Sequence, residues 1–528
     1  MKKLALVMAV LMIFTCTSAL ADFHETNLPI TDEKYEFSMM IDDSGYPEDK
    51  IIYNMLEEQT NVHVNLNLAP YALQVEKLGI ALNTGDYADV IAGWLLGTKD
   101  IIDLGMGDQT FLPLEDLIAK YAPNIEEVLN IPGVRESMTL PDGHIYCIPY
   151  VVGEPEATFK PYINQVWLER VGMEMPTTPE ELKAVLIAFR DQDANGNGDP
   201  SDEIPFSGDP NNLSLGMLAG WWGVDANSGN SDYPYFALVD GKIQFNANKP
   251  EYKQFIEFFA DLYKEKLIDP EIFTQDLETW KAKGKQDLYG VSIAYGPGDY
   301  FENFNKGTEE YAKYGENAFT YLPVLKGCEN PIYHRNSYGV TLFRTQAVIT
   351  DKADEEKAAI IVRWFDYLFT PDVSWQTSSG PFDICITKLA DGLYQETDQS
   401  DWSDEQKEKY SWGNRFANSL PRYYHDNKVL PFGKDEPDPD LQNEMKMELY
   451  GPYLNEFFPQ VWSTSEDDTT RSAEIQADLN NYIKTKTAQW IAGQADVEAE
   501  WDAYCEQLNA YGLEELTEIN RRALGEVE

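Results

Sequence analysis

The spacing of apolar residues along this chain switches repeatedly between a period of two and a period of about 3.6. Period-two or unbroken apolar runs predict strands at 35–41, 62–68 and 89–92, with helices at 50–59 and 73–83 between them. This strand–helix–strand–helix–strand rhythm belongs to parallel strands joined by crossover helices. Ligands of such sheets bind beyond the carboxyl ends of the strands, where Asp42, Asp43 and Trp94 stand. Helices are expected over 114–121, 162–172, 179–189, 251–266 and 357–369, and strands at 291–295, 319–323 and 339–343. The helix from Pro179 carries its own start signal, Thr178 as cap and proline at the first position. In 251–266, Phe255, Ile256, Phe258, Phe259, Leu262 and Tyr263 share one stripe, which is core spacing. Two long helices, 471–492 and 497–520, close the chain.

Composition narrows the class. A chain of 528 residues has room for a few domain-sized units, and 43% hydrophobic with 25% charged residues is ordinary for a folded protein. Lys plus Arg number 41 against 90 Asp plus Glu, a net charge of −49. Such a field repels nucleic acid and anionic membranes over a Debye length of about 10 Å, and disfavours polyanionic sugars unless their site is locally basic. At the N-terminus, Lys2 and Lys3 precede a short apolar run, and Ala19-Leu20-Ala21 offers a small-x-small cleavage site, so 1–21 is expected to be a signal peptide. The run is too short to span a bilayer. An exported protein follows, extracellular or on the cell surface, periplasmic in a Gram-negative cell. Cys16 keeps an alternative open, cleavage before that cysteine and a lipid anchor on it. Cys147, Cys328, Cys385 and Cys505 form no CxxC pair and read as isolated small hydrophobes in a large core.

The most chemically specific stretch runs from Asp193 to Glu203. Asp193, Asn195, Asn197 and Asp199 alternate with small residues, so a tight turn can aim their oxygens at one centre, as a hard cation such as Ca²⁺ requires. Gly198 fills the sharp-turn position of an EF-hand-type loop. The match is incomplete, because Ile204 stands where an EF-hand has its bidentate Glu; Asp202 and Glu203 are the acidic substitutes. Pro205 argues against a helix immediately after the loop. A metal-free Asx/Gly turn uses the same residues.

Several segments carry a family resemblance: Leu82-Asn83-Thr84-Gly85-Asp86 before Asp89-Val90-Ile91, Pro113-Leu114-Glu115-Asp116-Leu117-Ile118 before Tyr121-Ala122-Pro123-Asn124, and Met175-Pro176-Thr177-Thr178-Pro179-Glu180-Glu181-Leu182. Near the end Trp501-Asp502-Ala503-Tyr504 adds to them. In order and spacing the chain resembles the extracellular solute-binding proteins of bacterial ABC importers (family 1), in the long oligosaccharide-binding branch that includes alginate-oligosaccharide-binding proteins. The resemblance implies an α/β, two-lobe periplasmic-binding-protein-like fold (type II), with a hinge, a ligand cleft and a helical C-terminal region. It implies a first lobe of 22–160 plus about 335–400 and a second of 161–334 plus about 401–528. It also implies a structural calcium held by Asp193, Asn195, Asn197, the Asp199 carbonyl, Asp202 and Glu203. The partners would be an oligosaccharide and the transmembrane permease subunits, with the protein a monomer.

A sugar presents apolar C–H faces and a rim of hydroxyls, so its site needs flat aromatics beside polar side chains. Aromatics near turns and outside core stripes are the candidates: Trp94, Trp221, Trp222, Tyr295, Trp375 and Trp412, joined by Asp42 and Arg415. Gly220 and Gly223 flank the Trp221–Trp222 pair and would leave both indoles free to reach a cleft. With 90 carboxylates, some pair falls at glycosidase separation (about 5–9.5 Å) by chance. The five histidines are scattered, and no HExxH, GxSxG or P-loop pattern occurs. The expectation is a binding protein and not an enzyme, with a neutral oligosaccharide as ligand. A secreted glycoside-acting enzyme and a surface carbohydrate adhesin are the alternatives.

Overall fold

The computed structural model describes residues 23–526 apart from 44, 71–72, 132–133, 152–159, 210–214, 228–232, 295, 297–312, 315–317, 335–339, 342–345, 416, 418, 424–427, 431–447, 457 and 459–464. The expected signal peptide lies outside them. No helix among the described residues is long and apolar enough to cross a membrane.

The three N-terminal strands form as their apolar pattern requires. Tyr35–Ile41 pairs in parallel with Val62–Leu68 on one side and Val90–Gly93 on the other. Two antiparallel strands extend this sheet, Gln346–Ile349 beside Val90–Gly93 and then Cys147–Ile148. Its side chains and the helices over it make one buried cluster, from Phe23 to Val151 and again from Ala347 to Leu420. A second sheet orders Phe319–Tyr321, Lys160–Asn164, Tyr289–Ala294 and Ile204–Gly208, with only the last pair parallel. Around it a separate cluster runs from Tyr162 to Tyr333 and from Tyr450 to Leu516. Two sheets with two cores give the two-lobe fold that the resemblance implied.

The core stripe of 251–266 becomes the helix Pro250–Lys264, with Phe255, Ile256, Phe259 and Leu262 fully buried. Burying each such side chain is worth on the order of 1.5–3 kcal/mol. Three expectations need revision. The segment 162–172 is not wholly helical: it begins in the strand Lys160–Asn164, and the helix Gln165–Val171 starts where Asn164 Oδ1 accepts from Val166 N at 3.0 Å and Trp167 N at 3.3 Å. The last helix is two, Val497–Ala510 and Leu513–Ala523, parted at Gly512, whose φ of +101° no L-residue holds comfortably. The boundary at about 401 also shifts, because Ala417 and Leu420 still pack in the first core and the second core takes up the chain from Tyr450.

Core membership of the described residues changes after Val151, after Tyr333 and again before Tyr450. The chain segments at these changes meet side by side. Val340 and Thr341 pair antiparallel with Val151 and Tyr150. Val151 N also donates to Arg422 O at 3.0 Å, and Val151 bridges to Tyr423. The Arg422 guanidinium, buried, lies 5.3 Å from the Tyr150 ring centre.

Candidate functional site

The carboxyl ends of two neighbouring strands, Tyr35–Ile41 and Val90–Gly93, place Asp42 beside Trp94. Asp42 Oδ1 accepts the Trp94 backbone N–H at 2.7 Å. On the other side Ser419 Oγ donates to Asp42, 3.0 Å from Oδ2 and 3.1 Å from the main-chain oxygen. Gly93 closes the assembly. Its φ is +80°, and a Cβ there would sit 1.7 Å from Asp42 Oδ1. The carboxyl is largely out of water, and desolvation raises its pKa from 3.8 to about 6 against the opposing bonds from Trp94 and Ser419. The Trp94 residue itself remains 44% exposed, an outward aromatic on an otherwise buried strand end.

The next carboxylate, Asp43, takes a different partner. Lys50, fully buried, reaches its Oδ1 at 2.8 Å and also donates to the Gly413 carbonyl. A buried cation held by one carboxylate and one carbonyl is costly to break, about 3–5 kcal/mol when one partner is removed. Through it the short helix Trp412–Arg415 is fastened to the same sheet edge. Arg415 is half-buried and donates from Nη1 to Gln399 Oε1 at 2.9 Å. Trp375 lies half-buried on the helix Pro371–Ser379, its ring 6.1 Å from that of Tyr394. Tyr295 and the side chain of Trp412 lie outside the described residues.

Trp221 and Trp222 correct the expectation that they reach a cleft. They end the 3₁₀ segment Leu215–Trp222 and are 0% and 8% exposed, within the second core. Trp221 stacks on Phe259 with ring centres 6.3 Å apart, and Trp222 packs on Phe255 and Phe258. The flanking glycines serve backbone approach instead of side-chain freedom. A Cβ on Gly220 would lie 2.2 Å from Ile332 O, and Ile332 N donates to Gly220 O at 2.8 Å. The segment 327–332 thus packs against the backbone that carries the indoles.

Sequence reasoning missed Ser419 and Lys50. Ser419 is 377 residues from its partner, and one serine among loops carries no local signal. Lys50 could have been suspected only as a lysine at the head of an apolar helical pattern.

The Asp193–Glu203 loop follows the helix Pro179–Asp191 and ends at the strand Ile204–Gly208. Gly196 and Gly198 have φ of +73° and +93°. Gly198 N donates to Asp193 Oδ2 at 3.0 Å, Asn197 N to Asn195 Oδ1 at 3.0 Å and Asp199 N to Asn197 Oδ1 at 2.7 Å. Both Asp202 oxygens are occupied, by the amides of Asn195 at 3.0 Å and Asn197 at 2.7 Å. Glu203 Oε1 accepts from Ala194 N at 2.9 Å. Asp193 Oδ1 and Glu203 Oε2 remain buried without a hydrogen bond, and desolvation raises the Glu203 pKa. Two partnerless carboxylate oxygens in one small loop are the feature that a cation would relieve. Among the described residues no trio of His, Cys, Asp or Glu converges as a metal centre, so amide and backbone oxygens would supply most of the shell.

No protein-family model matches the chain. Among curated proteins, the fructooligosaccharide ABC transporter substrate-binding protein FusA of Streptococcus pneumoniae is 30% identical over 497 residues, which cover 90% of this chain and 87% of FusA. The structure of FusA in complex with kestose superposes with a TM-score of 0.76 at 27% identity, covering 93% of this chain and 99% of that one. An EF-hand mutant of FusA in complex with fructo-nystose superposes equally well, with the same TM-score of 0.76. The alginate-binding protein AlgQ2 without calcium ion shares the fold, with a TM-score of 0.73 at 22% identity over 94% of this chain and 99% of that one.

Proposed function

This chain belongs to the substrate-binding proteins of ABC transporters, and on that premise we propose that it captures a neutral oligosaccharide between its lobes and hands it to a membrane permease. The observation that carries the reading is the likeness to FusA, which spans nearly the whole of both chains. It is supported by the first-lobe edge, where an exposed indole stands beside polar groups at the strand ends that such sheets use for ligands. Closing the lobes yields affinity only where the closed state gains contacts with the sugar. The protein turns nothing over and works as an exported monomer.

Neutral sugars are favoured by the net charge of −49, which opposes approach of a polyuronate. Isothermal titration against kestose, nystose and oligogalacturonates tests this. Binding of the neutral sugars is expected, and tight binding of uronates alone would overturn the choice. Loss of substrate without binding, followed by chromatography of the sugar, would favour the enzyme reading instead.

We further propose that the Asp193–Glu203 loop holds a structural calcium. Asp193 and Glu203 supply its charge, Asn195, Asn197 and the Asp199 carbonyl its neutral oxygens, and Asp202 orients the two asparagine amides. The partnerless oxygens of Asp193 and Glu203 support this, as does the existence of an EF-hand in FusA. Bound calcium would join the helix Pro179–Asp191 to the strand Ile204–Gly208 within the second lobe.

A further inference from the structure

Asp42 stands at a strand end where a carboxylate would be expected to accept sugar hydroxyls, yet its bonding capacity is directed inward. One oxygen takes the Trp94 backbone N–H at 2.7 Å and the other takes the Ser419 hydroxyl at 3.0 Å. Only a residue without Cβ fits at position 93, because the carboxylate occupies the space such an atom would need, 1.7 Å away. Three chain segments that are distant in sequence, the ends of two strands and the loop around 419, therefore converge on one side chain.

We propose that Asp42 is a positioning residue: it holds the Gly93–Trp94 turn against Ser419 so that the Trp94 indole is presented as a fixed platform, and it does not itself bind the sugar. This rests on the oligosaccharide reading above and adds the way the platform is held. An indole on a loose turn would lose much of its stacking energy to the ordering of its own backbone on binding. A turn already fixed by two hydrogen bonds and a glycine has that ordering in place. The cost appears in the carboxyl group, whose desolvation at this edge is offset only partly by its two donors. The charged and titratable neighbours do not relieve it. Asp43 adds repulsion and is itself held by Lys50, and the buried Tyr53 phenol is raised further by both carboxylates.

The test joins variants at positions 42, 94 and 419 with two readouts. In the unliganded chain, hydrogen exchange at the Trp94 amide should be slow in the wild type and in Asp42→Asn, which keeps an acceptor in place, and fast in Asp42→Ala. With kestose as probe, Asp42→Ala and Trp94→Ala should each weaken binding by about tenfold or more, the size of a lost aromatic contact, and Asp42→Asn by no more than about threefold. Ser419→Ala should fall between. The double variant Asp42→Ala/Trp94→Ala should bind no more than about threefold worse than Trp94→Ala alone, since a residue acting through another adds nothing once that other is gone. With 12 tryptophans in the chain, the share of sugar-induced emission change due to Trp94 is read as wild type minus Trp94→Phe; Asp42→Ala should lose it and Asp42→Asn should keep it.

Additive losses in the double variant would make Asp42 a direct sugar ligand and overturn the proposal, as would fast exchange at the Trp94 amide in the wild type. A folded wild type that binds neither kestose nor an oligogalacturonate would remove the sugar reading. The clamp would then stand or fall on hydrogen exchange alone.

Discussion

The molecule contains two polar assemblies built in opposite ways. The Asp193–Glu203 loop draws all its candidate oxygens from one continuous stretch, and the bonds its acidic and amide side chains accept span nine residues at most, with Arg170 reaching in only to the Ala194 carbonyl. The first-lobe edge draws Asp42, Trp94 and Ser419 from positions up to 377 residues apart and exists only once the sheet has formed. A contiguous site can organise before its surroundings do, and its chemistry is written in local spacing. A site assembled by topology inherits its precision from the core beneath it. The loop should therefore govern stability with little effect on ligand affinity, and the edge should govern affinity.

The largest expected effect concerns neither assembly but the aromatic pair that the sequence placed at the ligand. Trp221→Ala removes a fully buried indole from the second core and should cost about 3–5 kcal/mol in urea unfolding. Kestose affinity measured below the unfolding transition should hardly change. A variant of normal stability that fails to bind sugar would return Trp221 to the cleft.

Calcium removal comes next. If the loop holds the ion with calcium at 100–1,000 times its dissociation constant, chelation withdraws about 2.7–4.1 kcal/mol from the native state. Calorimetry with and without chelator should show the loss, and Asp193→Ala or Glu203→Ala should abolish the response to calcium. Sugar affinity of the chelated, still-folded chain should stay within about threefold, a change below 1 kcal/mol. Loss of binding on chelation, with the fold intact, would erase the distinction between the two assemblies.

The same distinction decides how much could be read before the structure. The parallel strands over 35–41, 62–68 and 90–93 were legible because each is a short segment whose apolar residues alternate or run unbroken. The strand Lys160–Asn164 was not, since only Asn164 and Gln165 part Tyr162 and Ile163 from Val166, Trp167 and Leu168, a gap that helical spacing also accommodates, and the Asn164 cap is what separates strand from helix. Asp42 and Trp94 could be picked out as residues at strand ends, but not as bonded to each other, because that depends on register. Trp221 and Trp222 misled because glycine on either side reads equally as freedom for a side chain and as room for a neighbouring backbone. Which applies is set by the 327–332 segment, over 100 residues later.

The smallest effect is the most discriminating, because it has an unusual sign. Burial raises the Asp42 pKa to about 6, above the 3.8 of an ordinary aspartate, so the folded chain holds a proton there that the unfolded chain releases. The stabilising protonated form is fully present below about pH 4 and is lost as pH rises through about 6. At neutral pH the ionised carboxylate therefore costs stability, at most about 3 kcal/mol from the size of the shift. Asp42→Asn keeps the acceptor and removes the charge, so the variant should be more stable than the wild type at pH 7.5. About 1–2 kcal/mol is expected, since a buried amide carries a desolvation cost of its own. The gain should shrink through pH 6–5 and vanish near pH 4, as measured by urea unfolding at each pH. A variant less stable than the wild type at neutral pH would mean that the charge itself holds the Gly93–Trp94 turn, and Asp42 would then resemble Lys50 and Asp43, a structural ion pair, more than a residue retained at a cost for what it positions.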